Sequence, residues 1–314
     1  MRRLLSLLRS GKGLRQVPVA YGEVSKLGLR VMLRGLPGGP IDVSEDHCPV
    51  SLRPLVLGVA GPFVAQRSLW LEICVADAEA TPLARLALKP RGTVPLGQGA
   101  LHLFGVERTI NRCLPPAALA LRYLLAWQNA RTAARQGDAL CMSAADLRAL
   151  NAYYIVAKPV FLVGVGHEDR MNIFPMDLVA RLSSGEQLLA LRATSPSVAL
   201  MEASRHIAMS SAPAEYLEAV YALGRQHRQA SFDPAALPLQ VSRSPLFGLP
   251  ALDPQQLVRE LRVDRIERIG SHVLFIGRVV HETGRAEQQL AHVSGMYVEW
   301  LRRHQHRCEV LAPL

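Results

Sequence analysis

The stretch that decides the fold runs from residue 170 to residue 213 and reads RMNIFPMDLVARLSSGEQLLALRATSPSVALMEASRHIAMSSAP. Its middle part contains an apolar run at residues 188–191, which is typical of a buried strand. This run passes into a polar turn at residues 192–195 and then directly into a helical pattern. The stretch therefore predicts a strand that turns sharply into a helix.

The start of that helix has the composition of an anion-binding site. Thr194 or Ser195 is a natural N-cap, and Pro196 suits the first helical position, where no N–H is needed. A helix N-terminus presents unpaired N–H groups and a partial positive charge, which together bind anions. The hydroxyls of Thr194, Ser195 and Ser197 and the guanidinium of Arg192 would add hydrogen bonds to a phosphate. From these residues alone, ordinary capping without a ligand is the preferred interpretation.

Three motifs in the second half of the chain occur in an order that is known from one family. The first is Asn-x-x-Pro-Met at residues 172–176, followed by a strand, Arg-x-Thr-Ser-Pro-Ser at 192–197, a helix and a short strand. The second is Gly-x-His-x-x-x-x-Gly-x-Val at 270–279, and the third is Gly-x-Tyr at 295–297. Together they resemble the flavin reductases of the split β-barrel family, over about half of the chain.

The resemblance assigns roles to individual residues. In that family the Asn-containing loop and the strand-to-helix turn hold the isoalloxazine ring and the phosphate of FMN. On this sequence, the residues expected to line the ring are Asn172, Ile173, Pro175 and Met176. The residues expected to hold the phosphate are Arg192, Thr194, Ser195 and Ser197. Ser210 or Ser211 would reach the flavin from the next strand. His272 would lie where the nicotinamide docks, as the catalytic residue; an ordinary buried histidine is the alternative.

The chain departs from the family's pattern in three places. Residues 206–209, His-Ile-Ala-Met, stand where members often have a Phe-x-Val-Asn-like strand. Asp177 follows Met176 where a small polar residue is common, and a carboxylate near the flavin would disfavour the anionic reduced ring. Residues 1–155 have no counterpart in the compact reductases. The resemblance therefore supports flavin binding more directly than it supports reductase activity.

The function implied by the resemblance is that of an FMN-binding flavoprotein, an NAD(P)H-dependent flavin reductase or related oxidoreductase. The flavin carries the redox chemistry, so no catalytic acid–base pair is required. Family members are usually homodimers, and reduced FMN can leave for a partner oxygenase. Two alternatives stay open: a non-catalytic flavin-binding or interaction protein, and a related split barrel that binds haem or pyridoxal phosphate.

The pattern of the whole chain predicts a β-rich α+β fold. Residues 16–110 alternate with period two between turn signals, as half-buried strands do. Linking helices are predicted over 115–136 and from the N-cap Ser143 onward. We expect a β-rich N-terminal region at 1–155 and a C-terminal FMN-binding split β-barrel at 156–314, without a recognisable tandem repeat. In the C-terminal part, strands are predicted at 160–165, 172–182, 187–192, 207–209, 257–269 and 272–281, helices at 195–204 and 213–224, and Pro-rich loops at 233–254.

Composition argues against several other classes of protein. The net charge is +10, but the arginines are scattered and aromatic residues make up only 5%, so we expect no nucleic-acid partner. The five cysteines include no C-x-x-C pair, which argues against a disulfide framework or a zinc site and favours a reducing compartment, the cytoplasm. The apolar stretch at 55–65 is too short to span a membrane, so we expect no membrane partner.

Two further patterns are set aside. Gly164-Val165-Gly166 lacks the third glycine and the following helix of a dinucleotide-binding loop. His304, His306 and Cys308 lie in a polar terminal segment, and we expect no metal there.

Overall fold

The computed structural model describes residues 16–22, 28–65, 68–76, 80–135, 142–225, 240–252, 256–286, 288–306, 308 and 310–311. The chain divides into two compact units. The first unit contains the described residues of Met1–Val17, Glu23–Ala157 and Val293–Glu309. The second unit contains those of Pro18–Gly22, Lys158–His292 and Val310–Leu314.

The first unit is built on a seven-stranded antiparallel sheet. Its strands are β2 Leu29–Arg34, β3 Ile41–Asp42, β4 His47–Leu52, β5 Leu55–Ala60, β6 Leu69–Val75, β7 Pro82–Pro95 and β8 Ala100–Asn111. They lie in the order β3-β2-β6-β7-β8-β5-β4. Within its described residues the unit also has three helices: α1 Pro116–Arg135, α2 Ala144–Tyr153 and α5 Gly295–Arg303. The β-rich N-terminal region and both linking helices are thus confirmed.

The alternation of side chains between the two faces of the sheet explains the strands of the first unit. On β6, Leu69, Leu71 and Ile73 are fully buried in the core, as period-two patterning requires. Glu72 on the opposite face is also buried, and its carboxylate pairs with Arg34 and Arg85 from the two neighbouring strands. The two guanidinium groups supply the partners without which a buried carboxylate would be strongly destabilising.

Local capping sets the start of α2 as the sequence predicts. The Ser143 side chain accepts a hydrogen bond from the Asp146 N–H at 3.0 Å, and the Ser143 hydroxyl donates to the Asp146 carboxylate at 2.8 Å. The carboxylate also lies in the first turn, where the helix dipole favours negative charge.

The second unit contains another seven-stranded antiparallel sheet. Its strands are β10 Phe161–His167, β11 Arg170–Met176, β12 Val179–Arg181, β13 Glu186–Arg192, β14 His206–Ser211, β17 Val258–Ile269 and β18 His272–Thr283. They lie in the order β11-β10-β14-β17-β18-β13-β12. The connections carry α3 Ser197–Ser204, a 3₁₀ turn at Ala214–Tyr216, α4 Leu217–Arg225 and the hairpin β15 Val241–Arg243 with β16 Pro250–Leu252. A small sheet joins β1 Gln16–Ala20, β19 Leu290–Ser294 and β9 Lys158–Pro159 in the order β1-β19-β9.

Both faces of this second sheet are covered. One face carries the main apolar cluster, to which α3 contributes Val198, Leu200 and Met201. The other face packs against α4 through Leu217, Val220 and Leu223. Because successive side chains of a strand point to opposite faces, neighbouring residues of β11 enter different clusters.

The predicted Pro-rich loop at 233–254 is wrong in part. Residues 240–252 contain the β15–β16 hairpin, while 233–239 and 253–254 lie outside the described residues. The predicted strand at 172–182 is two strands, β11 and β12. The hairpin was not expected because each of its strands has only three residues, too few for a period-two pattern to be read.

Gly164 on β10 allows the hairpin backbone to approach the sheet. A Cβ atom at this position would lie 1.7 Å from the carbonyl oxygen of Pro250, which is a backbone atom. Gly166, on the same strand, would meet mainly the side-chain atoms Leu249 Cδ2 and Met171 Cγ, both at 3.2 Å. Backbone atoms therefore leave no room for a side chain at Gly164, whereas the nearest atoms at Gly166 belong to side chains.

We expect Gly164→Ala to lower the free energy of unfolding by about 3 kcal/mol, because the β16 backbone must move to admit the methyl group. Gly166→Ala is the matched control and should cost only about 1 kcal/mol, because flexible side chains can shift. Urea unfolding of both variants measures the difference, and equal losses would contradict the close backbone approach.

Candidate functional site

The corner formed by Arg192–Ser197 joins the end of β13 to the start of α3. Arg192, the last residue of β13, is paired with His272, the first residue of β18. The turn is held by two backbone hydrogen bonds: the Ala193 N–H donates to the Ser271 oxygen at 3.0 Å, and the Ser195 N–H donates to the Arg192 oxygen at 2.9 Å. The corner is therefore tied to the start of the adjacent strand.

The helix begins at this corner, but its N-cap is Pro196 and its first residue is Ser197, so the prediction of Thr194 or Ser195 as the N-cap is wrong. Pro196 already has helical dihedral angles, φ −58° and ψ −26°. The Ser195 side chain accepts from the Ser197 N–H at 3.4 Å, and the Ser195 carbonyl accepts from the Val198 N–H at 3.1 Å. Thr194 is exposed on the outside of the turn. The first turn of α3 contains no acidic residue that would oppose an anion.

A buried hydrogen bond connects this corner to β11. The Asn172 side-chain amide donates to the Ser197 hydroxyl at 2.9 Å, and Asn172 Oδ1 accepts from the Ile173 N–H at 2.9 Å. Asn172 is 8% exposed and Ser197 is 1% exposed, so the bond is shielded from water. The structure thus brings together the two motifs that the sequence analysis paired, the Asn-containing strand and the strand-to-helix corner.

The other three ring candidates on β11 divide between the two faces of the sheet. Met176 joins the main apolar cluster on the α3 side. Ile173 joins the cluster on the α4 side, and Pro175 lies next to Gly224 of α4. The four residues Asn172, Ile173, Pro175 and Met176 are therefore contiguous along the strand but do not present their side chains to one surface.

The two serines of β14 also differ in their surroundings. Both are fully buried. The Ser210 hydroxyl accepts from the Leu252 N–H at 3.0 Å and so anchors β16. Within the described residues, the Ser211 hydroxyl has no hydrogen-bond partner. Ser211 therefore retains hydrogen-bonding capacity that Ser210 already uses.

The corner has the donors that an anionic group requires. It combines a helix N-terminus, the hydroxyls of Thr194 and Ser195, and the guanidinium of Arg192 at the end of the preceding strand. The hydroxyl of Ser197, in contrast, is buried and bonded to Asn172. The residues present thus fit a phosphate group.

Comparisons with known proteins agree with this geometry. The sequence of residues 153–301 matches the family model described as flavin reductase like domain. This part of the chain is a flavin reductase-like domain. No curated protein sequence matches the chain.

Several solved structures are similar to parts of the chain. An FMN-binding protein from Thermus thermophilus with bound p-hydroxybenzaldehyde is 25% identical, covers 41% of this chain and 72% of its own, and has a TM-score of 0.37. An NADH:FAD oxidoreductase from Streptomyces globisporus is 16% identical, with coverages of 44% and 82% and a TM-score of 0.40. The flavin reductase component of a bacterial two-component tryptophan halogenase is 16% identical, with coverages of 46% and 96% and a TM-score of 0.39.

His272 of the flavin reductase-like domain lies beside Arg192 in a buried position. It is 3% exposed, and its Nδ1 atom lies 2.9 Å from the Ser271 hydroxyl. Burial, together with the nearby Arg192 charge, lowers the pKa of His272 from 6.5 to about 4. The imidazole is therefore neutral near pH 7.

Sequence reasoning missed a polar cluster in the same unit. Asp177 Oδ2 lies 2.8 Å from His292 Nδ1, and His292 Nε2 lies 3.0 Å from the Tyr221 hydroxyl. Lys158, which is 7% exposed, is the cross-strand partner of His292. Only Asp177 carried a sequence signal, as a departure from the family's pattern; the other residues are too far apart in sequence for any local motif.

No metal site is found in the part of the chain that the structure describes. His304 Nδ1 lies 2.8 Å from the Trp300 carbonyl oxygen, and the His304 and His306 rings stack against the Trp300 ring. Within the same residues, no helix is long and apolar enough to cross a membrane.

The depressed pKa of His272 predicts a specific dependence of stability on pH. The unfolded chain protonates this histidine below about pH 6.5, whereas the folded chain resists protonation until about pH 4. Its contribution is therefore complete above pH 6.5 and declines as the pH falls toward 4. In His272→Gln, the loss of unfolding free energy between pH 7 and pH 5 should be smaller than in the wild type by about 2 kcal/mol.

Urea unfolding at the two pH values measures this effect. His167→Gln is the control, because the His167 side chain is 46% exposed, and it should keep the full pH dependence of the wild type. If His272→Gln and His167→Gln behaved alike, the His272 ring would be hydrated rather than buried.

Proposed function

We propose that the flavin reductase-like domain binds FMN and acts as an NAD(P)H-dependent flavin reductase or a closely related oxidoreductase. The observation that carries this proposal is the hydrogen bond from Asn172 to Ser197, which joins β11 to the Arg192–Ser197 corner. The family match supports a flavin as the ligand. The geometry of the corner supports a phosphate site there, beside the strand that the ring would follow.

The phosphate would be held by the corner. The positive end of the α3 dipole favours an anion. The N–H groups of Ser197 and Val198 already donate to Ser195, so the side chains would supply the hydrogen bonds to the phosphate. Arg192 would add a charge-assisted hydrogen bond, and the hydroxyls of Thr194 and Ser195 would add neutral ones. Ser197 would contribute through its position in the first turn, because its hydroxyl is bonded to Asn172.

The ring would then lie along β11. Ile173 and Pro175 face α4, whereas Met176 faces the main cluster. The ring would therefore contact Asn172 and the backbone of β11, and it would not contact all four side chains at the same time. Of the two serines of β14, Ser211 is the better candidate for a contact with the flavin. Its buried hydroxyl has no other partner among the described residues.

Bound FMN would supply the hydride chemistry itself. The chain's own residues would position the reactants and control the local charge. We assign His272 to the face where the nicotinamide of NAD(P)H docks, beside Arg192. A neutral imidazole there can pack against a nicotinamide ring without adding a second positive charge to that of Arg192.

One observation favours the alternative of a non-catalytic flavin-binding or interaction protein. Asp177 directly follows the ring-lining segment, and a carboxylate there would disfavour the anionic reduced flavin. The Asp177 carboxylate is already hydrogen-bonded to His292, whose other ring nitrogen lies beside the Tyr221 hydroxyl, so it has protein partners of its own. We therefore retain the reductase as the first candidate.

Further parts of the proposal come from the family resemblance and the cysteines. They are a homodimer, a partner oxygenase that receives reduced FMN, and a domain boundary near residue 155. Cys74 and Cys113 are free and buried, which suits a reducing compartment such as the cytoplasm.

Two measurements on the purified full chain test the proposal. The absorbance spectrum, with and without added FMN, should show a bound flavin rather than haem or pyridoxal phosphate. Consumption of NADH or NADPH with added FMN should then show turnover. Bound flavin without turnover would select the non-catalytic alternative, and absence of flavin binding would overturn the proposal.

We expect Arg192→Ala to weaken FMN affinity by about 1.5–3 kcal/mol, the value of a hydrogen bond to a charged group. Equilibrium titration by flavin fluorescence measures this change. Arg265→Ala is the matched control: its side chain is 43% exposed on β17, so it removes the same charge away from the corner. An equal loss in both variants would remove Arg192 from the phosphate site.

A further inference from the structure

The two sheets of the chain share one topology. When the seven strands of each sheet are numbered in chain order, both sheets have the order 2-1-5-6-7-4-3. All neighbouring strands in both sheets whose pairing is given are antiparallel. Seven strands permit many orders, so the same order twice in one chain indicates two copies of one architecture.

The longest hairpin adds a second point of agreement. In each sheet the sixth and seventh strands form it: β7 and β8 in the first unit have 14 and 12 residues, and β17 and β18 in the second unit have 12 each. Each of these two pairings contains two register shifts. Register shifts of this kind bend a hairpin, so the long hairpins of both sheets are expected to bend in a similar way.

The copies differ where the flavin phosphate would bind. In the second unit, residues 193–205 connect the fourth strand to the fifth and include the corner and α3. In the first unit, residues 61–68 make the same connection and begin Gly-Pro-Phe-Val. The second unit therefore presents hydroxyls and a helix N-terminus where the described start of this connection in the first unit, residues 61–65, is apolar.

An aromatic ring fills this position in the first unit. The Phe63 and His102 rings are in contact, with their centroids 4.4 Å apart and their planes tilted by 33°, and His102 Nε2 lies 3.3 Å from the Gly61 carbonyl oxygen. His102 lies on the seventh strand, paired with Val59 near the end of the fourth. His272 occupies the corresponding region of the second sheet, paired with Arg192. Each sheet thus has a buried histidine beside this connection. In the first sheet the ring of this histidine is in contact with Phe63.

We infer that the first unit is a second split barrel whose phosphate corner is closed by Phe63, so that the chain carries a single flavin site, in the second unit. This inference rests on the proposed binding of FMN. The Phe63 ring has no hydrogen-bond donor, so a phosphate placed against it would lose hydration without gaining a partner from that ring, which is unfavourable. The first unit keeps the architecture of a flavin domain and does not bind the cofactor.

The stoichiometry of FMN binding to the full-length chain tests this inference. After removal of bound flavin, equilibrium dialysis against rising FMN should saturate at one FMN per chain. Saturation at two per chain would overturn the inference and leave the proposed function intact. Absence of binding would overturn both.

Variants then assign the single site to one unit. Arg192→Glu should weaken FMN binding at least 100-fold, whereas Phe63→Leu and His102→Gln should leave both affinity and stoichiometry unchanged. Circular dichroism checks that each variant is folded. If a folded His102→Gln lost the flavin while Arg192→Glu kept it, the site would lie in the first unit and the inference would be wrong.

Discussion

The hydrogen bond between the Asn172 side chain and the Ser197 hydroxyl is the constraint on which the candidate site depends. It is buried, and it connects two segments that lie 25 positions apart in sequence. Without it, the start of α3 and the strand β11 would be separate features, one an ordinary helix cap and the other an ordinary strand. Loss of this hydrogen bond from the buried amide would lower the free energy of unfolding. The bond therefore stabilises the corner as well as joining it to β11.

The sequence contained the local parts of this arrangement. Ser143 with Asp146 is a capping signal that acts within one helical turn, and α2 begins where it indicates. For α3 the sequence indicated the corner, but the N-cap is Pro196 rather than Thr194 or Ser195. The pairing of Arg192 with His272 was not expected, because local patterns do not report which distant strands lie side by side. The cluster of Asp177, His292 and Tyr221 could not be expected at all, because its members come from three elements that meet only in the folded chain.

The shared topology of the two sheets was also outside the reach of sequence patterns. Strand order depends on long-range pairing, whereas alternation reports only which residues of a strand are buried. The two units keep the same order with different residues, different connections and different helices, so no tandem repeat is recognisable in the sequence. The inferred difference in flavin binding lies in the connection between the fourth and fifth strands. In that inference, one architecture serves as a cofactor site in one copy and as a scaffold in the other.

The proposed function depends most directly on the binding of a phosphate group by the Arg192–Ser197 corner. Riboflavin has the same ring as FMN but lacks this group, so a comparison of their affinities for the wild-type chain isolates the corner's contribution. The account predicts that riboflavin binds more weakly than FMN by about 10- to 100-fold, as expected for the loss of charge-assisted hydrogen bonds. Equal affinities for the two flavins would contradict it.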